Sequence, residues 1–253
     1  MTVDATRPPT GPLYTGPSVQ VTFDGFLFDM DGTIIDSTDA VVKHWQTVGN
    51  EIGVAPEVIL ETSHGRRSID ILRILAPEKA NWEYICEMEG RLPKLYGDDA
   101  IEIPGARALL DDLRAKHAPW AIVTSGTQPL VNGWLGVLKL PTPEHLISAE
   151  SVAIGKPDPA CYNMGREALQ LTGEHAVLVL EDSPAGIQAG KDAGCKVLGL
   201  VTSHTAEQVA KAAPEWIVQD LSSVRVVSVQ AQSDGGVQTT LEFSNLLVPP
   251  SES

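Results

Sequence analysis

Cationic residues are scarce in this chain: 18 Lys and Arg stand against 33 Asp and Glu, a formal charge of -15. Nucleic acids and anionic membranes are held mainly by Lys and Arg that neutralise phosphates, so neither is an expected partner. An anionic substrate would need a local cluster of positive charge. Cysteine is nearly as sparse, with three residues, Cys86, Cys161 and Cys195, and no C-x-x-C pair. That number and spacing suggest neither a disulfide framework nor a zinc site. No apolar run approaches the roughly 18 residues of a membrane span. No N-x-[ST] acceptor and no G-x-x-x-x-G-K-[ST] phosphate loop occurs, and "MTVDATRPPTGPLYTGPSVQ" lacks the basic start and apolar stretch of a secretory signal. The expected compartment is the reducing cytoplasm, and the expected state a monomer.

What the chain does have is ordinary globular material: 253 residues, 43% of them hydrophobic. Short continuous apolar runs at Phe26 to Phe28, Ala121 to Val123, Val177 to Leu180, Val197 to Val201 and Trp216 to Val218 read as parallel strands buried on both faces. Between them lie helical patterns. "GARALLDDLRAKH" puts Ala106, Leu109, Leu110 and Leu113 on one face, and "SPAGIQAGKDAG" opens with an N-cap serine and a first-turn proline. Alternation of this kind predicts an α/β fold, a doubly wound parallel sheet of Rossmann-like type, with ligands bound outside the carboxyl ends of the strands.

One region interrupts the alternation. Residues 37–104 hold the helical stretches "DAVVKHWQTVGNEIG", "SIDILRILA" and "NWEYICEMEGRLPKLYG" without a clear strand, and read as a helical cap inserted after the first strand. The core is then 21–36 together with 105–253, residues 1–20 are an irregular lead-in, and "LLVPPSES" is a frayed end. "RVVSVQAQSDGGVQTTLEF" reads as a hairpin around Asp-Gly-Gly.

The chemistry gathers at strand ends. In "GFLFDMDGTIIDS" a strand delivers Asp29, Met30 points away, Asp31 returns to the same side and Gly32 permits a sharp turn. Two carboxylates about 4 Å apart repel by about 4 kcal/mol at an effective dielectric of 20, so the pair would partly protonate unless a cation neutralises it. A calcium EF-hand is excluded by register, because Ile34 sits where its glycine belongs and Ala40 where its final glutamate belongs. Thr124, Ser125 and Gly126 follow "WAIV", "AIGKPDP" presents Lys156, and Glu181, Asp182 and Ser183 follow "AVLVL". Each alone reads as a helix cap, a turn or a solvated lysine. Together they supply a nucleophile, a second carboxyl, a hydroxyl, a cation and two further acids.

These stretches, "DMDGT", "IVTSG", "GKPDP" and "LEDSPAG", resemble in order the four motifs of the haloacid dehalogenase superfamily of phosphatases, across residues 24–200. The resemblance implies that Asp29 is the nucleophile and Asp31 the general acid and base. It implies that Thr124 and Ser125 bind the phosphoryl oxygens and that Lys156 neutralises nucleophile and phosphate. Mg²⁺ would be held by Asp29, Asp182 and the Asp31 backbone carbonyl, with Glu181 as an outer ligand. The insertion resembles the cap of fungal glycerol-phosphate phosphatases and related 2-deoxyglucose-6-phosphate phosphatases through "SHGRRSIDIL", which implies Arg67, and more weakly His64, as substrate-binding residues. The expected reaction is hydrolysis of a small polyol or sugar phosphate, glycerol phosphate first and 2-deoxyglucose 6-phosphate second. In the similar β-phosphoglucomutases a cap-linker histidine stands ten residues after the second aspartate. Val41 stands there in this chain, with His44 and Trp45 just beyond, which favours hydrolysis. A non-catalytic phosphate-binding protein on the same fold is the remaining alternative.

Overall fold

The computed structural model describes residues 13–63, 65–233 and 235–248, and for residues 61–63 the backbone alone. Its centre is a parallel sheet of 6 strands in the spatial order Trp216–Val218, Lys196–Leu200, Val177–Glu181, Gly25–Phe28, Trp120–Val123 and His145–Ile147. Strand side chains alternate between the faces. Phe26 and Phe28 therefore enter one apolar cluster with Ile122 and Leu180, while Leu27 enters a second with Val123 and Val179. Burial on both faces explains why these strands read as unbroken apolar runs. The sixth strand, His145–Ile147, is a 3-residue edge strand with only Ile147 fully buried, and it carries too little apolar sequence to announce itself.

Helices Ala106–Ala115 and Gln128–Leu138 cover one face through residues such as Leu110 and Trp134, and helices Ala160–Ala168 and Pro184–Asp192 cover the other through Tyr162 and Ile187. The expected Ser183 cap is present: its hydroxyl oxygen accepts from the Gly186 amide at 3.0 Å.

Between the first two core strands come the helices Thr38–Ile52, Pro56–Ser63, Ser68–Leu75, Trp82–Glu89 and Leu92–Leu95. They enclose their own apolar cluster, which includes Trp45, Ile59, Leu72 and Ile85. The chain enters and leaves this unit through a two-stranded antiparallel neck, Ile35–Asp36 against Ile101–Glu102.

Two readings of the termini are corrected. Within the stretch taken as an irregular lead-in, Leu13–Gly16 pairs with Leu246–Val248, inside the supposed frayed end, and Val19–Phe23 joins the hairpin Val224–Ala231 and Val237–Phe243 as a third strand. The reason is long-range burial: Phe23, Leu241 and Phe243 pack into the main core, with the Phe243 and Trp216 rings 5.1 Å apart. Nothing local to "PSVQVTF" contains that partner.

Candidate active site

The site is built where three strands end. After Gly25–Phe28 the backbone turns through Met30, whose carbonyl accepts from the amides of Thr33, Ile34 and Ile35. Met30, Ile34 and Ile35 are wholly buried, and this anchoring presents Asp29 and Asp31 to the same cavity. Gly32 makes the turn at φ +87°, a left-handed conformation that a side chain resists. A Cβ there would also lie 2.2 Å from an Asp182 carboxylate oxygen, so the absence of a side chain lets the turn seat against Asp182.

Lys156 joins two strand ends. Its Nζ donates to Asp29 Oδ1 at 2.6 Å, to Glu181 Oε1 at 2.7 Å and to the Val123 carbonyl at 3.2 Å. Burial alone would push this amine down, but Asp29 and Glu181 outweigh it and hold it above the usual lysine range. Burial pushes Asp29 well above the carboxylate range, against the pull of Lys156 and with the push of Glu181 and Asp182. Asp31 is raised too, by burial first, although the Ser37 hydroxyl donates to its Oδ1 at 2.5 Å and lowers it.

Glu181 is fully buried and both its oxygens are engaged. Oε1 accepts from Lys156 and from the Tyr162 hydroxyl at 2.8 Å; Oε2 accepts from the amides of Asp182 and Ser183 and from the Ser183 hydroxyl. Asp182 accepts from Thr33 at 3.2 Å and from the Ser203 hydroxyl. Asp29, Glu181 and Asp182 offer oxygens that all lie within 4.8 Å of one another. Lys156 pairs with Asp29 and Glu181 but not with Asp182, which has the His204 ring 3.8 Å away, and an all-oxygen donor set of this kind suits a hard divalent cation. The Asp31 carboxylate is not part of that trio.

Thr124 is buried on the cavity wall, with its hydroxyl oxygen accepting from the Gly126 amide at 3.0 Å. Ser125 lies beside it, and its hydroxyl donates to the carbonyl of Gly65 in the helical insertion at 3.0 Å. The insertion is thus closed over the strand ends. Glu89 reinforces the closure: Oε2 accepts from the core Thr127 amide at 2.8 Å and Oε1 from Ser68 at 2.5 Å.

Arg67 does not take the place expected of it. Its guanidinium donates to Asp70 from Nε and Nη2, and to the carbonyls of Ala149, Val152 and Ala153. With 2% exposure and every N–H in use, it fastens the insertion to the core and has no donor left for a ligand. Its neighbour Arg66 lines the cavity and is exposed. The spacing could not separate them, because side-chain direction at a helix start depends on what the helix packs against. His64 lies outside the described residues.

The structure brings to the site several side chains that the motifs did not name: Ser37, Glu89, Tyr162 and Ser203. Ser203 follows the strand Lys196–Leu200 and was detectable by the logic that singled out Thr124, a hydroxyl just past a buried strand. Glu89 had no such signal, being one acid in the acidic helix Trp82–Glu89.

Comparison with known proteins identifies the family and the fold. The sequence pattern of the haloacid dehalogenase-like hydrolases matches residues 26–200. Glycerol-1-phosphate phosphohydrolase 1 of Saccharomyces cerevisiae is 38% identical over 231 residues, covering 88% of this chain and 92% of the relative. The 2-deoxyglucose-6-phosphate phosphatase 1 of the same yeast is 35% identical over 219 residues, 79% of this chain and 89% of that one. A hydrolase from Pseudomonas syringae has the same fold, with a TM-score of 0.65 at 23% identity over 78% of this chain and 94% of its own. With its site residues at the strand ends and most of its length matched, the chain belongs to the haloacid dehalogenase-like hydrolases, as a phosphatase of phosphoric monoesters.

Proposed function

We propose that the chain hydrolyses a small polyol or sugar phosphate, glycerol phosphate before 2-deoxyglucose 6-phosphate, through an aspartyl phosphate on Asp29. The observation that carries the reading is Asp29 and Asp31 lining one cavity of about 110 Å³, with Lys156 2.6 Å from the Asp29 carboxylate. That volume lies below the range of about 300–1,000 Å³ common for drug-sized ligands and favours a small substrate.

In the first half-reaction an Asp29 oxygen attacks phosphorus and the bond to the alcohol oxygen breaks. Asp31 gives its proton to that oxygen, a role its raised pKa suits. In the second, Asp31 takes a proton from water, the water oxygen attacks phosphorus, and the bond from Asp29 breaks to restore the carboxylate. Lys156 and Thr124 hold the phosphoryl oxygens in line, and Ser37 keeps the Asp31 carboxyl in place. Mg²⁺, held by Asp29 and Asp182 with the Asp31 carbonyl and backed by Glu181, would supply the positive charge that offsets repulsion between carboxylate and phosphate.

Val41 lines the cavity at the position where the resemblance to mutases would require histidine, which favours transfer to water over transfer to a sugar. Three free thiols fit a reducing compartment, and among the described residues no helix is long and apolar enough to cross a membrane. The test is phosphate release from glycerol 1- and 3-phosphate, 2-deoxyglucose 6-phosphate, glucose 6-phosphate and β-glucose 1-phosphate, with and without EDTA. EDTA-sensitive release led by glycerol phosphates is expected, and Asp29→Asn should abolish it while the circular dichroism spectrum persists. Conversion of β-glucose 1-phosphate into glucose 6-phosphate without release would refute hydrolysis.

A further inference from the structure

The cavity has two walls of different chemistry. Asp29, Asp31, Thr124 and Asp182 form the core wall, which the proposed reaction occupies with the phosphoryl group. The alcohol that leaves must then project toward the insertion, where His44, Trp45, Ser68 and Glu89 line the other wall.

That second wall holds two polar groups whose hydrogen-bonding capacity is not filled. The Glu89 carboxylate is 5% exposed and forms no ion pair among the described residues. Ser68 Oγ at 2.5 Å and the Thr127 amide at 2.8 Å donate to it, with the Thr127 hydroxyl close by, whereas a carboxylate offers about four acceptor sites. His44 is 6% exposed, packs its ring 5.2 Å from that of Trp45, and leaves Nε2 buried without a hydrogen-bond partner. Leaving the His44 nitrogen unpaired costs free energy, and the Glu89 oxygens, each with one donor, can still accept more. A ligand that brings hydrogen-bonding groups into the cavity meets both.

Resting on the phosphatase reading above, we propose that His44 and Glu89 form a hydroxyl-reading subsite, which selects phosphate esters whose leaving alcohol carries further hydroxyl groups. A hydroxyl suits both partners, since it donates to the Glu89 carboxylate and either donates to or accepts from the His44 ring nitrogen. An ammonium is the poorer fit, because it donates to Glu89 but has no lone pair with which to accept from the His44 ring nitrogen, and Arg66 lines the same cavity. A carboxylate or second phosphate on the leaving group is repelled by Glu89. A plain alkyl chain leaves both groups unpaired. A site built to bond a hydroxyl rejects the analogue that lacks it far more strongly than an apolar pocket rejects a missing methylene.

The experiment compares kcat/KM for glycerol 3-phosphate, n-propyl phosphate and phosphoethanolamine in the parent, in Glu89→Gln and in His44→Phe, all with Mg²⁺. In the parent, glycerol 3-phosphate should exceed n-propyl phosphate by at least a hundredfold, and each variant should shrink that ratio at least tenfold. The ratio is the decisive quantity, because general loss of structure lowers both rates together. His44→Phe carries the test if Glu89→Gln does not fold. A parent that hydrolyses glycerol and propyl phosphates alike, a ratio unmoved in the variants, or phosphoethanolamine as the best of the three would each overturn the subsite while leaving the phosphatase reading intact. A parent that releases phosphate from none of the esters, sugar phosphates included, would overturn both.

Discussion

Lys156→Met removes a cation that two buried carboxylates share. The lysine side chain is 2% exposed, its ammonium lies 2.6 Å from Asp29 and 2.7 Å from Glu181, and the Glu181 side chain is fully buried. Methionine fills much of the same volume, so the change deletes charge more than packing. Breaking a buried ion pair by removing one partner costs about 3–5 kcal/mol, because the other partner is left charged and dry. For a chain of this length each kcal/mol moves Tm by about 2–4 °C, so a loss of about 4 kcal/mol lowers it by roughly 8–16 °C. The measurement is thermal melting by circular dichroism at pH 7.5 in EDTA, which keeps divalent cations from substituting for the lost ammonium. Two controls follow from the same reasoning. The deficit should narrow at pH 5, where the orphaned carboxylates take up protons, and Lys156→Met/Glu181→Gln should recover part of it, by a coupling of about 0.5–3 kcal/mol. A single variant that melts within about 3 °C of the parent at pH 7.5, or a gap that widens on acidification, would refute the claim that Lys156 neutralises this pair.

Arg67→Ala should lower Tm by several degrees and reduce turnover of glycerol phosphate and an aryl phosphate by similar factors, because the arginine ties the insertion to Ala149, Val152 and Ala153; a loss confined to the polyol substrate would return it to substrate reading. Glu89 and His44 give stability opposite pH dependences. Burial pushes Glu89 from its ordinary 4.5 up to about 7, so the stability linked to its proton is full below pH 4.5 and fades as pH rises through 7. Each such shift is worth on the order of 3 kcal/mol, and Glu89→Gln should therefore gain in Tm relative to the parent between pH 5 and pH 8.5, whereas a difference that stays flat or falls would contradict it. Burial pushes His44 from 6.5 down to about 4, so the stability linked to its neutral form is present above pH 6.5 and is lost as pH falls through 4. His44→Phe should accordingly flatten the acid limb of the melting profile from pH 6.5 to pH 4, and an unchanged limb would contradict that burial effect.

Much of the core was legible because its signals are local. A strand buried on both faces must be apolar at every position, so Phe26 to Phe28 and Val177 to Leu180 could be read without a partner in view. The edge strand His145–Ile147 and the strands Leu13–Gly16 and Val19–Phe23 could not, since their pairing depends on residues far along the chain. The same division separates Arg67 from Arg66. Both are arginines at one helix start, and only the nearby carbonyls of Ala149, Val152 and Ala153 decide which is consumed in holding the insertion down.

The sequence by itself determined the chemical inventory: Asp29, Asp31, Thr124, Glu181 and Asp182, each placed at or just beyond a strand end by short-range rules of pleat, turn and cap, and Lys156 in the loop before helix Ala160–Ala168. Tertiary structure alone decided how that inventory is charged and walled. Whether a carboxylate holds or releases its proton depends on burial and on neighbours far away in sequence, as with Lys156 beside Asp29. Which side chains face the leaving group depends on how the helical insertion closes over the sheet, a matter of packing between distant segments that no local pattern encodes.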